Sequence, residues 1–233
     1  TELETDEIIS ANYLRKVGED FNTLNLYGYA GVDPETGSEL FYTDETETKT
    51  TTVLGEAEKY NHGKATPDFY GSLTNTVAFK NFSLTAQLYS AWGGQIFEPN
   101  GNAQNDNGSR KTLDDSNTSK YVYDNRWQKP GDITNVPKYV YGNSLSSNQT
   151  SRWLHDGSYV RLKKVELAYT FSSKILQNTF IDRLRLHVSG DNLWTLIKDD
   201  TLMNDPEMAG ITGSASFNNP ITKTIYFGLN VTF

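Results

Sequence analysis

The 233-residue chain contains no cysteine. Disulfide frameworks, thiolate metal sites and cysteine nucleophiles are thereby excluded, while no particular compartment is implied. It also lacks any apolar run near the roughly 20 residues that a membrane-crossing helix needs, and its mean hydropathy is -0.60. A helical membrane protein is excluded. A membrane barrel is not, because its strands alternate polar and apolar residues and average out as hydrophilic. Basic clusters are missing too: 21 Lys and Arg stand against 29 Asp and Glu, for a net charge of -8. A phosphate-binding surface needs clustered cations, so no nucleic-acid partner is expected. Thr1 to Asp6 offers neither the basic nor the apolar region of a signal peptide, so the chain is either cytosolic or lacks its beginning.

Catalytic machinery is equally sparse. His62, His155 and His187 share no HxxxH or HExxH spacing, and no GxSxG occurs, so neither a metal centre, a cofactor nor an enzyme activity is expected. The stretch Asn102 to Gly108 has the amides of a calcium loop but not its alternating carboxylates or closing Glu, and reads as a flexible loop. Sequons at Asn107, Asn117, Asn148 and Asn230 matter only in a eukaryotic secreted protein.

What is present is aromatic and apolar residues, 12% and 36% of the chain, arranged with a period of two. Phe69, Gly71, Leu73, Val77 and Phe79 alternate with Tyr70, Ser72, Thr74, Thr76 and Lys80. Phe82, Leu84, Ala86, Leu88 and Trp92 alternate with Ser83, Thr85, Gln87 and Tyr89. Between Tyr159 and Phe171, Val165, Leu167, Tyr169 and Phe171 oppose Lys164, Glu166 and Thr170, with a less tidy first half. Leu184, Leu186, Val188 and Trp194 oppose Arg185, His187, Ser189 and Asp191. The clearest case closes the chain: Ile225, Phe227, Leu229, Val231 and Phe233 against Thr224, Tyr226, Gly228, Asn230 and Thr232. Each run spans roughly 10 to 13 residues, against about 5 or 6 in soluble sheets; a tilted bilayer-crossing strand needs about 9 to 11.

The links between these runs are one-sided. Asn81 alone, and then Ser172 to Asp182, provide short connections; long ones run from Gly93 to Gly157 and from about Thr195 to Pro220. Short periplasmic turns and long extracellular loops have this pattern in outer-membrane barrels. Trp92, Tyr159 and Trp194 then fall at the extracellular strand ends, and Phe79, Phe82, Tyr169, Phe171 and Phe233 at the periplasmic ends, as two aromatic girdles require. Upstream, Glu7 to Tyr29 is expected to hold one or two strands, with Asn25 to Tyr29 and Leu40 to Tyr42 as the best-defined pieces, and Asp44 to Lys64 reads as exposed loop. Five to seven strands cannot close a barrel, since bacterial ones begin at about 8, and open edges in lipid leave backbone groups unpaired. Other polypeptide must complete the sheet.

Particular wording supports this architecture. The segments YAGVDPETGSELFY (Tyr29 to Tyr42), ATPDFYGSLTNTVAFKNFSLTAQLYSAWGGQIF (Ala65 to Phe97), RWQKPGDITNVPKYVYGN (Arg126 to Asn143), SRWLHDGSYVRLKKVELAYTF (Ser151 to Phe171), HVSGDNLWTL (His187 to Leu196) and the closing IYFGLNVTF resemble, in order, the carboxy-terminal region of SusC-like (SusC/RagA) TonB-dependent outer-membrane transporters. The resemblance implies an all-β fold: the carboxy-terminal part of a large, 22-stranded antiparallel transmembrane β-barrel. Its long extracellular loops fall at about 44–66, 93–157 and 195–220. It implies import of oligosaccharides or oligopeptides across a Bacteroidetes-type outer membrane. The implied partners are the remaining barrel and plug, TonB, a SusD-like lid lipoprotein, the lipid bilayer, and a second transporter–lipoprotein pair in a dimer. A soluble carbohydrate-binding β-sandwich and a non-transporting adhesin barrel are the rival readings.

Two groups of residues are candidates for function. Phe227, Leu229, Val231 and Phe233 form the expected barrel-assembly signal. Tyr121, Tyr123, Trp127, Tyr139 and Tyr141 lie among amides and charges in the longest loop, where aromatic faces can stack on sugars, grip peptides or meet the lid. The plainer alternative is that they pack the loop itself. Pro130 and Pro137 stiffen the same stretch.

Overall fold

A computed structural model describes residues 6–101, 105, 107–108, 118–142, 149–216 and 218–233. In chain order its strands are β1 (Glu7–Ser10), β2 (Tyr13–Lys16), β3 (Thr23–Tyr27), β4 (Tyr29–Val32), β5 (Glu39–Tyr42), β6 (Thr50–Thr51), β7 (Lys59–Lys64), β8 (Phe69–Phe79), β9 (Phe82–Trp92), β10 (Gln95–Phe97), β11 (Leu154–Asp156), β12 (Tyr159–Thr170), β13 (Arg183–Ile197) and β14 (Thr224–Thr232). Among the described residues two short α-helices join them, α1 (Lys120–Asn125) and α2 (Ser173–Leu176). The chain divides into two compact units, one of Thr1–Thr66, Gly94–Asp156 and Thr201–Asn218, the other of Pro67–Gly93, Gly157–Asp200 and Asn219–Phe233.

The second unit is one antiparallel sheet in the order β14-β13-β12-β9-β8. Its strands run 11, 11, 12, 15 and 9 residues from β8 to β14, the lengths that the alternation called for. Because successive side chains point to opposite faces, the register sorts every residue. One face carries the rows Phe79–Phe82–Tyr169–Leu186–Leu229, Val77–Leu84–Leu167–Val188–Phe227 and Asn75–Ala86–Val165–Gly190–Ile225. The other carries Thr76–Thr85–Glu166–Ser189–Tyr226 and Thr74–Gln87–Lys164–Asp191–Thr224. Apart from Asn75 in β8, one face is apolar and the other predominantly polar across the five strands.

The untidy half of β12 has a structural cause. Its pairing with both neighbours shifts between Leu162 and Lys164: Lys163 is an extra residue against β9 and faces both Asn192 and Leu193 of β13, which reverses the parity of β12 there. Leu162 pairs with Leu88 and Trp194 on the apolar face, while Arg161 pairs with Tyr89 and Thr195 on the polar one. Tyr159 consequently sits on the polar face, 5% exposed, its ring 5.9 Å from Tyr89. It does not join Trp92 and Trp194 in the expected girdle, because the bulge inverts the alternation between it and Val165.

At one end of the sheet Phe79 pairs with Phe82 across Lys80 and Asn81, with Lys80 at φ 53, so the turn holds two residues rather than one. The β12–β13 link at the same end contains α2. The opposite end holds Phe69 beside Trp92 and Tyr159 beside Ile197.

The first unit is built from short strands paired over long sequence distances. Its sheets run β1-β2-β3-β7, β4-β5-β6 and β10-β11. Leu24, Leu26, Phe97 and Trp153 form its core, with Tyr13 and Leu154 packed against it; burying each such side chain contributes roughly 1.5–3 kcal/mol. Phe97 donates its N–H to the Gly213 carbonyl (2.7 Å) and accepts from Ala215 N–H (3.0 Å). The buried Glu98 carboxylate accepts from the N–H of Met203 (3.1 Å), the N–H of Asn204 (2.8 Å) and the Asn204 amide (2.6 Å), with His155 Nε2 3.3 Å away. The long stretches expected as loops thus carry structure of their own. Residues 44–66 contain β6 and β7, residues 93–157 contain β10, α1 and β11, and residues 195–220 end β13 and supply a 3-10 turn at Pro206–Ala209. The amino-terminal stretch likewise holds more strands than the one or two expected.

Candidate functional site

The apolar face is a site in its own right. Leu73 is 66% and Phe227 85% exposed, within a patch that crosses five strands. Monomers in water rarely expose contiguous apolar patches beyond a few hundred Å², whereas a lipid-facing sheet has this surface by necessity. Within the sheet, β8 and β14 each pair on one side only. In β14, Phe227, Leu229 and Val231 lie opposite Val188, Leu186 and Leu184 on the apolar face. Phe233 follows the strand and stacks on Phe180, with centroids 5.6 Å apart and planes at 12°. At the same end Tyr169 lies 4.7 Å from Phe82 and 5.0 Å from Phe171. This is one of the two aromatic bands the sequence suggested; Trp92 and Trp194 mark the other end of the apolar face.

The polar face is a network of charges and hydroxyls. Glu166 accepts from Arg185 (2.6 Å) and lies 3.0 Å from the Lys164 ammonium. Arg161 donates its Nε–H to Thr195 Oγ1 (3.0 Å). Gly228 lets the His187 imidazole lie against the terminal strand, since a Cβ there would meet its Cε1 at 2.1 Å. Asn230, one of the sequons, pairs in register with Arg185 on this face. His62, His155 and His187 are apart, and no group of metal-binding side chains forms among the described residues.

The loop aromatics divide by role. Trp127 donates its indole N–H to the Pro34 carbonyl (2.8 Å) and covers Gly37, where a Cβ would stand 2.4 Å from the ring and the backbone takes φ +69. It therefore fastens the turn after β4. Tyr121 and Tyr123 flank the buried Val122 on α1, whose first turn Ser119 caps by accepting the Val122 N–H (3.3 Å). Tyr121, Tyr123, Tyr139 and Tyr141 are all exposed, Tyr123 beneath the Arg126 guanidinium at 4.7 Å. In Asn102 to Gly108, residues 102–104 and 106 lie outside the described residues, as do the sequons Asn117 and Asn148.

Sequence reasoning missed a cleft of about 350 Å³ in the first unit, bounded by Glu39, Phe41, Val53, Asn107, Pro137 and Lys138. Glu39 Oε1 accepts from Arg152 at 2.9 Å, both side chains being buried. Burial pushes the Glu39 carboxyl above the usual range, and the Arg152 charge only partly draws it back. Nearby Tyr29 donates its hydroxyl to the Asn135 carbonyl (3.0 Å), and burial pushes that hydroxyl well up. Among the described residues, Glu39 Oε2 and both polar atoms of the Asn107 side chain have no hydrogen-bond partner. Glu39 sits at the start of a short strand and Asn107 in an amide-rich stretch; neither pattern marks a cleft in sequence.

Similarity to known proteins follows the geometry. No protein-family model matches the chain. It is 28% identical over 239 residues to TonB-dependent receptor P3 of Formosa agariphila, a match covering 93% of this chain and 22% of that protein. It is 27% identical over 181 residues to TonB-dependent receptor P26 of the same organism, covering 73% of this chain and 17% of that protein. The chain therefore spans about a fifth of the length of these relatives. Its fold matches that of the RagAB peptide transporter with a TM-score of 0.83 and 22% identity, over 98% of this chain and 25% of that one. In the open-open state of the RagAB peptide importer the score is 0.82, with 100% and 25% covered. Sequence motifs, relatives and antiparallel fold agree: this chain is similar to a segment of SusC/RagA-like TonB-dependent receptors.

Proposed function

We propose that the chain forms the carboxy-terminal wall and extracellular loops of a 22-stranded, TonB-dependent outer-membrane importer of large nutrients, oligosaccharides or oligopeptides. The observation that carries this reading is the one-sided apolar face running through five strands of transmembrane length. In a soluble β-sandwich such a face is covered by a second sheet; here it is open to lipid. The unpaired outer edges of β8 and β14 join neighbouring barrel strands, and the polar face lines the lumen beside the plug. The first unit is the extracellular part. Tyr121, Tyr123, Tyr139 and Tyr141 contact substrate or a SusD-like lid lipoprotein there, and two such pairs form the dimer. Phe227, Leu229, Val231 and Phe233 serve as the assembly signal for membrane insertion. The relatives' names support TonB coupling, which acts through a plug and a TonB-contacting segment outside this chain.

Expression of the chain alone tests the reading. It should fail to give a stable soluble monomer, because the apolar face has no cover in water; a well-folded soluble monomer contradicts a lipid-facing role.

A further inference from the structure

The cleft beside Glu39 poses a question that barrel architecture does not answer. Asn107 is 1% exposed and Glu39 8%, yet the Asn107 amide nitrogen and oxygen and Glu39 Oε2 all lack partners among the described residues. Folded proteins pair the great majority of buried polar groups, since each one left unmade costs about 1–3 kcal/mol. Three such atoms on two residues that line one cleft form a localised exception. Its volume of about 350 Å³ falls within the roughly 300–1,000 Å³ typical of small-ligand pockets. Phe41, Val53 and Pro137 supply apolar walls, while Arg152 and Lys138 are already engaged by Glu39 Oε1 (2.9 Å) and the Thr36 carbonyl (2.9 Å). The unmet valences are therefore those of a carboxamide, one donor group beside one acceptor, and of a carboxyl oxygen.

We propose that this cleft binds an amide group of the imported molecule, with the Asn107 side chain turning into the cleft to pair with it on both sides and Glu39 Oε2 bonding an adjacent N–H or O–H. An amide presents an N–H donor and a C=O acceptor, matching the Asn107 carboxamide atom for atom. Its short apolar flank, a methyl or a Cα, suits Phe41 and Pro137. Two sources offer that chemistry, the peptide bond and the acetamido group of an amino sugar. A plain glucan offers neither. The proposal rests on the importer reading, since it makes the cleft an outer recognition site on the extracellular part.

The test uses the full-length transporter in detergent, with binding measured by calorimetry for three probes: an acetylated, amidated tetraglycine, N-acetylchitotriose, and maltotriose as the amide-free control. One of the two amide probes should bind, which identifies the source, and maltotriose should not. Asn107→Leu should weaken that binding at least tenfold, while leaving the ligand-free protein as stable as before, since it removes two unpartnered atoms. Glu39→Gln should weaken it less. Failure of both amide probes to bind, equal binding of maltotriose, or an unchanged affinity in Asn107→Leu overturns the proposal. Loss of stability in ligand-free Asn107→Leu also counts against it, because the amide would then be structural. Correct membrane insertion of the same variants, read separately, keeps failure of this site distinct from failure of the importer reading.

Discussion

Arginine placed at Phe227 and at its neighbour Tyr226 should have opposite consequences. The two differ by one position in β14, but Phe227 lies in the apolar row with Val188, whereas Tyr226 shares the polar row with Ser189. With β14 spanning Thr224–Thr232, Phe227 is one residue from the strand's midpoint. At about 3.3 Å per residue and a tilt near 45°, that places it roughly 2 Å from the level of the strand's centre. An arginine on the lipid face at that depth costs about 2–4 kcal/mol, and the lost phenyl burial adds roughly 1.5–3 kcal/mol. Tyr226→Arg enters a wet, charged face and should cost under about 1 kcal/mol. The assay is denaturant-induced unfolding of the full-length protein in lipid vesicles, comparing midpoints. Phe227→Arg should destabilise by at least about 2 kcal/mol, or about thirtyfold in the folding equilibrium. Equal effects at the two sites, or a larger one at Tyr226, would refute the face assignment.

Other perturbations follow from the same geometry. Gly37→Ala should loosen the turn that Trp127 covers by about 1–3 kcal/mol, from its positive φ and the ring 2.4 Å away; hydrogen exchange of residues 33–38 should accelerate while the sheet does not change. Gly228→Val should lower folding yield by displacing His187, and adding His187→Ala should restore it; absence of rescue would mean the valine acts otherwise. Arg152→Ala should destabilise the first unit by about 3–5 kcal/mol by stranding the buried Glu39 charge, and pairing it with Glu39→Gln should recover most of that loss. Because burial raises the Glu39 carboxyl above its ordinary 4.5, its contribution to stability is fully present below that pH and lost as pH rises through the raised value. Limited proteolysis of the first unit should show this acid-side protection vanish in Glu39→Gln.

The five long strands were legible because a sheet with one apolar and one polar face imposes a period of two, which survives in the residues of β14. That signal broke where backbone geometry, which composition does not encode, intervened: Lys163 adds one residue to β12 and sends Tyr159 to the opposite face. The first unit was not legible for a different reason. A three-residue strand such as β10 is too short to show periodicity, and its stability comes from Phe97 meeting Trp153 and Gly213, partners distant in sequence. Trp127 was visible as an aromatic in a loop, but its role depended on a glycine far upstream. Asn107 and Glu39 gain significance only from the atoms they lack.

The most direct test of the account is accessibility along β14. This chain has no native cysteine, so with any cysteine elsewhere in the full-length protein replaced, single cysteines introduced at positions 225–231 in a bilayer can carry spin labels read against lipid-soluble oxygen and a water-soluble nickel complex. Oxygen accessibility should peak at Ile225, Phe227, Leu229 and Val231, and nickel accessibility at Tyr226, Gly228 and Asn230. A profile without that two-residue alternation, or with nickel reaching every position, would contradict a strand that has lipid on one side and the barrel lumen on the other.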